Sequence, residues 1–221
     1  MTQDIETSNN VQPGRTLSWR EVWIQALTQP SVATYQALIQ DPHASPKRAY
    51  IWIGLSVLVG AFISSVGTWL WPGEVLGLEG VREVDMLCGP LIATVVTVLF
   101  IAMVAGGSNL IARLFGGEGT YSAFVYACAA YTAPLSLISG VLGVIPLIRA
   151  FLALLLGCYA LVLSVIAVKA VYKFAWWKAI VTLVLALPGI VVIVAFVVIV
   201  VLVFLDPLIQ AMFELFMKGL Q

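Results

Sequence analysis

Charge is what this sequence has least of. Its 221 residues include 11 basic and 11 acidic side chains, so charged residues are 10% of the chain, against roughly 25% in a typical soluble domain. The two signs cancel to a net charge of zero, which offers no attraction to a polyanion, and no nucleic-acid partner is expected. Histidine occurs once, as His43, outside every long apolar run. Cysteine occurs at 88, 128 and 158, with no C-x-x-C spacing. The usual haem and metal ligand sets are therefore missing from the apolar segments, and no metal or cofactor is expected. Cys128 and Cys158 lie deep in apolar runs and read as small buried hydrophobes, while Cys88 lies near a helix end where exposure is expected. The sequence also lacks a G-x-S-x-G motif and an intramembrane base or carboxylate pair, so an enzyme is not expected.

What the chain has in abundance is apolar residues, 62% of the total. They gather into five runs without a charge, at residues 49–73, 86–112, 119–148, 150–168 and 179–205. About 20 apolar residues cross the roughly 30 Å hydrocarbon layer as a helix, so each run suffices for one passage and none for two. Only Arg149 separates the third from the fourth run, and Pro146 with Gly140 and Gly143 predicts a tight helical hairpin there. Residues 190–203 are crowded with Val and Ile, yet an unpaired strand in lipid would leave its backbone groups unsatisfied, so the fifth run is read as helix. Pro188-Gly189 is expected to kink it. The fold class is an all-α membrane protein, a five-helix transmembrane bundle over residues 49–205 with N-terminal interfacial amphipathic helices.

Residues 1–17 read as a disordered polar tail. The first long apolar run begins at Ala49 and is too long for an h-region, so no secretory signal peptide is expected. In residues 18–48, Trp19, Val22, Trp23, Ala26 and Leu27 recur at helical spacing up to Pro30, and a second helix starts from Ser31 with Tyr35, Leu38 and Ile39 on one face. Two tryptophans on an apolar face suit the headgroup layer, and packing on the end of the bundle is a compatible placement. Residues 206–221 read as an outer-face tail or interfacial helix.

With the N-terminus inside, inner segments hold Arg15, Arg20, Lys47, Arg48, Arg113, Lys169, Lys173 and Lys178, and outer ones hold Arg82, Arg149 and Lys218. That bias predicts a cytoplasmic N-terminus and an external C-terminus. Trp19, Trp23, Lys47, Arg48, Lys173 and Lys178 are the candidate partner- or lipid-facing residues. A glycine-rich turn, Gly116-Gly117-Glu118-Gly119, precedes Thr120, a cap for the helix that follows.

Helices in lipid associate through small residues. Ser56, Gly60, Ser64 and Thr68 form such a stripe, as do Ala102 with Gly106, Ala129 with Ala133, Ser136 with Gly140, and Ala153 with Gly157. No Asp, Glu, Lys, Arg or His occupies a span, as a carrier of ions or protons would normally require. The strongest polar cluster is Gly106-Gly107-Ser108-Asn109, read either as a helix break lining a cavity, the pore element of a small permease or channel, or as a helix–helix contact through Asn109.

The order of Leu27-Thr28-Gln29-Pro30, Tyr35-Gln36-Ala37-Leu38, a glycine-rich turn, Tyr121-Ser122-Ala123-Phe124, Tyr131-Thr132-Ala133-Pro134 and Ile145-Pro146 resembles the Yip domain (Ypt-interacting protein) family, in its short prokaryotic form, over about residues 18–205. The resemblance implies a five-helix membrane domain with a cytoplasmic N-terminus and a non-enzymatic role as scaffold, organiser or accessory subunit. Partners it implies are membrane lipids, other membrane proteins or a second copy, with a Rab-type GTPase as a candidate drawn from the eukaryotic members. Their long polar N-terminal region has no counterpart in these residues.

Overall fold

The computed structural model describes residues 16–70, 82–144 and 146–186, and all of its regular structure among the described residues is helical. Helix α1, Trp19–Thr28, opens on a capping box. The Ser18 hydroxyl accepts from the Glu21 N–H at 3.3 Å, and the Glu21 carboxylate accepts from the Ser18 N–H at 2.9 Å. Pro30 follows its end, and the Ser31 hydroxyl then accepts from the Thr34 N–H at 3.1 Å to start α2, Val32–Ile39. Pro46 occupies the first position of α3, Pro46–Leu70, where its missing N–H has no partner to lose.

The long helices continue with α4, Arg82–Leu114, α5, Tyr121–Leu142, and α6, Pro146–Tyr172. Thr120 caps α5 as expected, accepting from the Ala123 N–H at 3.2 Å. The predicted hairpin is present: Gly143 closes α5 with its N–H on the Ser139 carbonyl, and Pro146 opens α6. A shorter apolar helix, α7, runs Trp176–Ala186. Helices α3 to α6 supply four candidate membrane spans, Pro46–Gly67, Cys88–Leu114, Tyr121–Leu142 and Phe151–Tyr172. Of the fifth expected span, α7 is the described part; residues 187–205, the Pro188-Gly189 kink and the tail at 206–221 lie outside the described residues, as do residues 1–15.

Helix α5 is the centre of the molecule. In its most apolar 18-residue stretch 61% of the residues are buried, against 28%, 11% and 22% in the same stretches of α3, α4 and α6, because α3, α4, α6, α1 and α2 all pack on it. The α3–α5 seam is the closest approach. A Cβ added to Gly60 would lie 2.5 Å from the Ser136 carbonyl oxygen, and one added to Gly67 would lie 2.7 Å from the Val144 Cα. Gly140 faces Gly60 across the same seam, so the two expected stripes, Gly60 with Ser64 and Ser136 with Gly140, meet one another.

Two other stripes are corrected. A Cβ on Gly106 or on Gly157 would touch nothing within 4 Å, so neither is a point of close helix approach. Ala153 and Gly157 instead line an open cavity of about 460 Å³ together with Ser64, Thr97 and Ser136. Cys128 is buried and Cys88 on α4 is exposed, both as expected, but Cys158 is exposed on α6. The physical reason is shared. In lipid an outward face is as apolar as an inward one, so composition does not tell which side of a span meets protein.

Of the two placements considered for the N-terminal helices, the structure has them packed on the bundle. Val22 and Ala26 of α1 and Tyr35 and Leu38 of α2 are fully buried, with α1 against α5 and α2 against α6 and α5. Trp19 and Ile24 remain exposed on α1.

Candidate functional site

One end of the bundle collects the start of α3, the end of α4, the start of α5, the end of α6 and the start of α7. Direct contacts join them: the Tyr50 and Tyr121 hydroxyls meet at 2.5 Å, and the Tyr172 hydroxyl donates to the Asn109 side-chain oxygen at 3.2 Å. Chain connectivity therefore brings Lys47, Arg48, Arg113, Lys169, Lys173 and Lys178 to this basic end.

The N-terminal helices close over it through a buried acid. The Asp41 side chain is fully buried, and a carboxylate there needs partners. It accepts from the His43 backbone N–H at 2.9 Å, from the Tyr126 hydroxyl at 3.4 Å and from the Arg48 guanidinium at 3.5 Å. Arg48 also donates to the Leu17 carbonyl at 3.4 Å, and its guanidinium carbon lies 4.5 Å from the centre of the Trp52 ring. From Trp52 an aromatic chain continues to Tyr126 at 5.5 Å, and through Trp23 at 5.9 Å to Trp19, a further 4.9 Å on. Arg20 lies over the Trp19 ring at 5.1 Å at the exposed end of that chain.

Hydroxyls hold the end of α1. Tyr159 of α6 donates to the Leu27 carbonyl, and Tyr35 of α2 donates to the Ala26 carbonyl at 3.4 Å. Both carbonyls belong to the last turn of α1, whose acceptors lack partners within the helix. Burial pushes the Tyr35 hydroxyl well above its ordinary range, so it stays a neutral donor.

The other side of the basic end is built on the glycine turn. Gly116 has a φ of +78°, the left-handed region that favours glycine. A Cβ on Gly117 would sit 2.7 Å from the Phe174 ring, and one on Gly119 would sit 2.7 Å from the Val171 carbonyl oxygen, so the turn lies directly under the α6–α7 corner. At that corner Lys173 also has a left-handed φ, +55°. Its ammonium lies 3.6 Å from the Glu118 carboxylate, both well exposed. The Lys169 ammonium is 4.4 Å from the Trp176 ring centre, and that of Lys178 is 5.7 Å from the Trp177 ring centre. Between turn and corner is a cavity of about 320 Å³ lined by Phe115, Gly116, Glu118, Lys173, Phe174 and Lys178, among others.

The structure thus divides the sequence candidates into two groups. Trp19, Trp23 and Arg48 belong to the Asp41 network, Lys173 and Lys178 line the cavity beside the glycine turn, and Lys47 is exposed at the same end in neither. Of the two readings of Gly106-Gly107-Ser108-Asn109, the helix–helix contact through Asn109 is present, and the helix break is absent because α4 runs through the cluster as continuous helix. Asn109 makes the interhelical hydrogen bond to Tyr172, while Ser108 is buried with its hydroxyl unbonded. Sequence reasoning missed Asp41, Tyr126 and Tyr159. Asp41 had a usable signal, an acid beside Pro42 between two apolar helices; the tyrosines, set in apolar runs, had none. Among the described residues no group of three or more His, Cys, Asp or Glu is placed to hold a metal ion.

Compared with known proteins, residues 24–204 match the family model of the Yip1 domain. No curated protein and no solved structure matches the chain.

Proposed function

The chain belongs to the Yip1 domain family, and from that premise we propose that it is a non-enzymatic integral membrane scaffold or organiser, or an accessory subunit of a membrane assembly. Its basic end faces the cytoplasm of a prokaryotic cell, at the inner membrane, and its partners are membrane lipids together with other membrane proteins or a second copy of itself. A Rab-type GTPase is a lesser candidate, since it would come from the family's eukaryotic members alone.

The observation that carries this reading is how the polar side chains in the spans are used. Tyr131 meets Ser164 at 2.8 Å, Tyr50 meets Tyr121 at 2.5 Å, and Tyr172 meets Asn109 at 3.2 Å, each bond joining one helix to another. Groups engaged in this way hold a bundle together and leave little to bind a passing solute. The permease reading depended on an unwound segment at residues 106–109, and the continuity of α4 there removes its support. The 460 Å³ cavity is lined by Thr97, Ser136 and Gly157 among others, and Asn109 is not in its wall.

Two measurements test the proposal. Cysteines engineered one at a time into the α2–α3, α4–α5 and α6–α7 connections should all be labelled from the cytoplasmic side; labelling from outside would reverse the assigned orientation. Reconstituted vesicles should be no leakier to ions and small solutes than empty ones. A saturable flux that Asn109→Ala abolishes would overturn the scaffold reading in favour of the permease.

A further inference from the structure

We propose that the cavity between the glycine turn and the α6–α7 corner binds a phosphate group, carried by the headgroup of an anionic phospholipid. The cavity, about 320 Å³, has room for a phosphate with part of its glycerol. Its walls carry two ammonium groups, Lys173 and Lys178, and a single carboxylate, Glu118. The Lys173–Glu118 pair is open to solvent at 3.6 Å and so only weakly held. An incoming phosphate would engage both lysines where Glu118 engages one.

The position of Lys173 is built into the fold. Its φ of +55° is a backbone conformation that a lysine keeps only where its neighbours impose it. Those neighbours are at hand. Phe174 packs on Gly117, and Val171 and Tyr172 pack on Gly119, each so closely that a Cβ on either glycine would come within 3 Å of them. The reversal at Lys173 is thereby fixed against the floor of the cavity, and Gly116, with its own φ of +78°, lines it.

Depth argues for a lipid as the source of the phosphate. The span of α6 ends at Tyr172, and Trp176 and Trp177 stand immediately beyond it, 52% and 60% exposed. Exposed indoles at the end of a span mark the headgroup layer. Lys169 and Lys178 lie over these two rings, which holds positive charge at the same level. The site deepens the proposed reading by naming one lipid contact of the basic end.

The test uses the full chain in a neutral detergent, titrated with short-chain phosphatidylglycerol, with short-chain phosphatidylcholine and with inorganic phosphate, and read by native mass spectrometry. Phosphatidylglycerol should bind in preference to phosphatidylcholine. Lys173→Gly, which suits the backbone, and Lys178→Gln, which keeps the side-chain length, should each weaken it about fivefold, the worth of one lysine near an anionic surface. Glu118→Gln should strengthen it, and Arg20→Gln, an equal charge loss on the exposed face of α1 and off the cavity, should leave it unchanged. Equal weakening by Arg20→Gln, or no preference between the two lipids, would overturn the site. Inorganic phosphate that competes as strongly as the lipid would support the site and overturn the lipid as its source. Because the protein is in detergent, this outcome does not depend on orientation or assembly, so it can fail while the scaffold reading stands, and the reverse.

Discussion

Asp41, within the α2–α3 connection, and Arg48, seven positions on in the first turn of α3, form an ion pair at 3.5 Å in which the acid is fully buried and the base is not. The asymmetry sets what each contributes. Asp41→Ala frees Arg48 toward solvent but strips Tyr126 and the His43 N–H of their acceptor. Arg48→Ala strands a carboxylate in the interior and also unseats the Leu17 carbonyl and the Trp52 ring. Arg48→Ala is therefore expected to be the more damaging, by up to about 3 kcal/mol, and the double variant less so than the sum of the two. Unfolding of the four chains in a mild denaturing detergent measures this, and simple additivity would dissolve the pair as an energetic unit.

Gly60→Ala and Gly157→Ala are the same chemical change in two environments. The first pushes a methyl into the Ser136 carbonyl and should cost about 1–3 kcal/mol, with α3 and α5 forced apart. The second meets nothing within 4 Å and should be neutral or slightly stabilising, since alanine favours helix. Comparing their resistance to thermal aggregation in detergent checks both, and equal losses would contradict the seam.

Tyr159→Phe deletes one hydroxyl, the one that holds the Leu27 carbonyl at the end of α1. The expected cost to the whole fold is only about 1 kcal/mol. The local effect should be larger, because α1 docks chiefly through Val22 and Ala26 and would open more often. Faster backbone hydrogen exchange over residues 19–28, with the spans unchanged, is the expected result.

The raised position of Tyr35 fixes the sign of one pH dependence. Folded, the hydroxyl resists ionisation; unfolded, it ionises near the ordinary value of about 10. Its contribution is thus complete below about pH 10 and is lost as pH rises beyond that, since deprotonation then favours the unfolded chain. Tyr35→Phe should reduce the alkaline loss of stability while costing about 1 kcal/mol at neutral pH through the lost bond to Ala26. Melting temperatures of both chains between neutral and strongly alkaline pH decide it.

Much of the fold was legible because membrane helices announce themselves by length. The caps at Ser31 and Thr120, the hairpin at Gly143 and Pro146, and the α3–α5 stripes around Gly60 and Gly140 follow from local rules, and the structure has them. What was not legible depends on facing. Cys158 and Gly157 sit on the open side of α6, and no periodicity separates that side from the packed one when both are apolar. The basic end was foreseen from lysine and arginine placement, but its closure through Asp41, Tyr126 and Tyr159 joins residues up to 132 positions apart, and local pattern carries no such information. Glycine and asparagine in one cluster left a broken α4 and a helix–helix contact both open; in the fold, Asn109 bonds to Tyr172 and the helix continues.

The glycine seam and the tyrosine bonds grip the bundle in two different currencies. Backbone pressed on backbone at Gly60 and Gly140 offers an intruding solvent molecule no better partner than it already has. The phenols at Tyr50 and Tyr121, neither of them fully buried, sit where moisture from the membrane surface can bid for each of them. The molecule is accordingly a zip with one welded end, and wetting would unpick it from the side that carries the lysines.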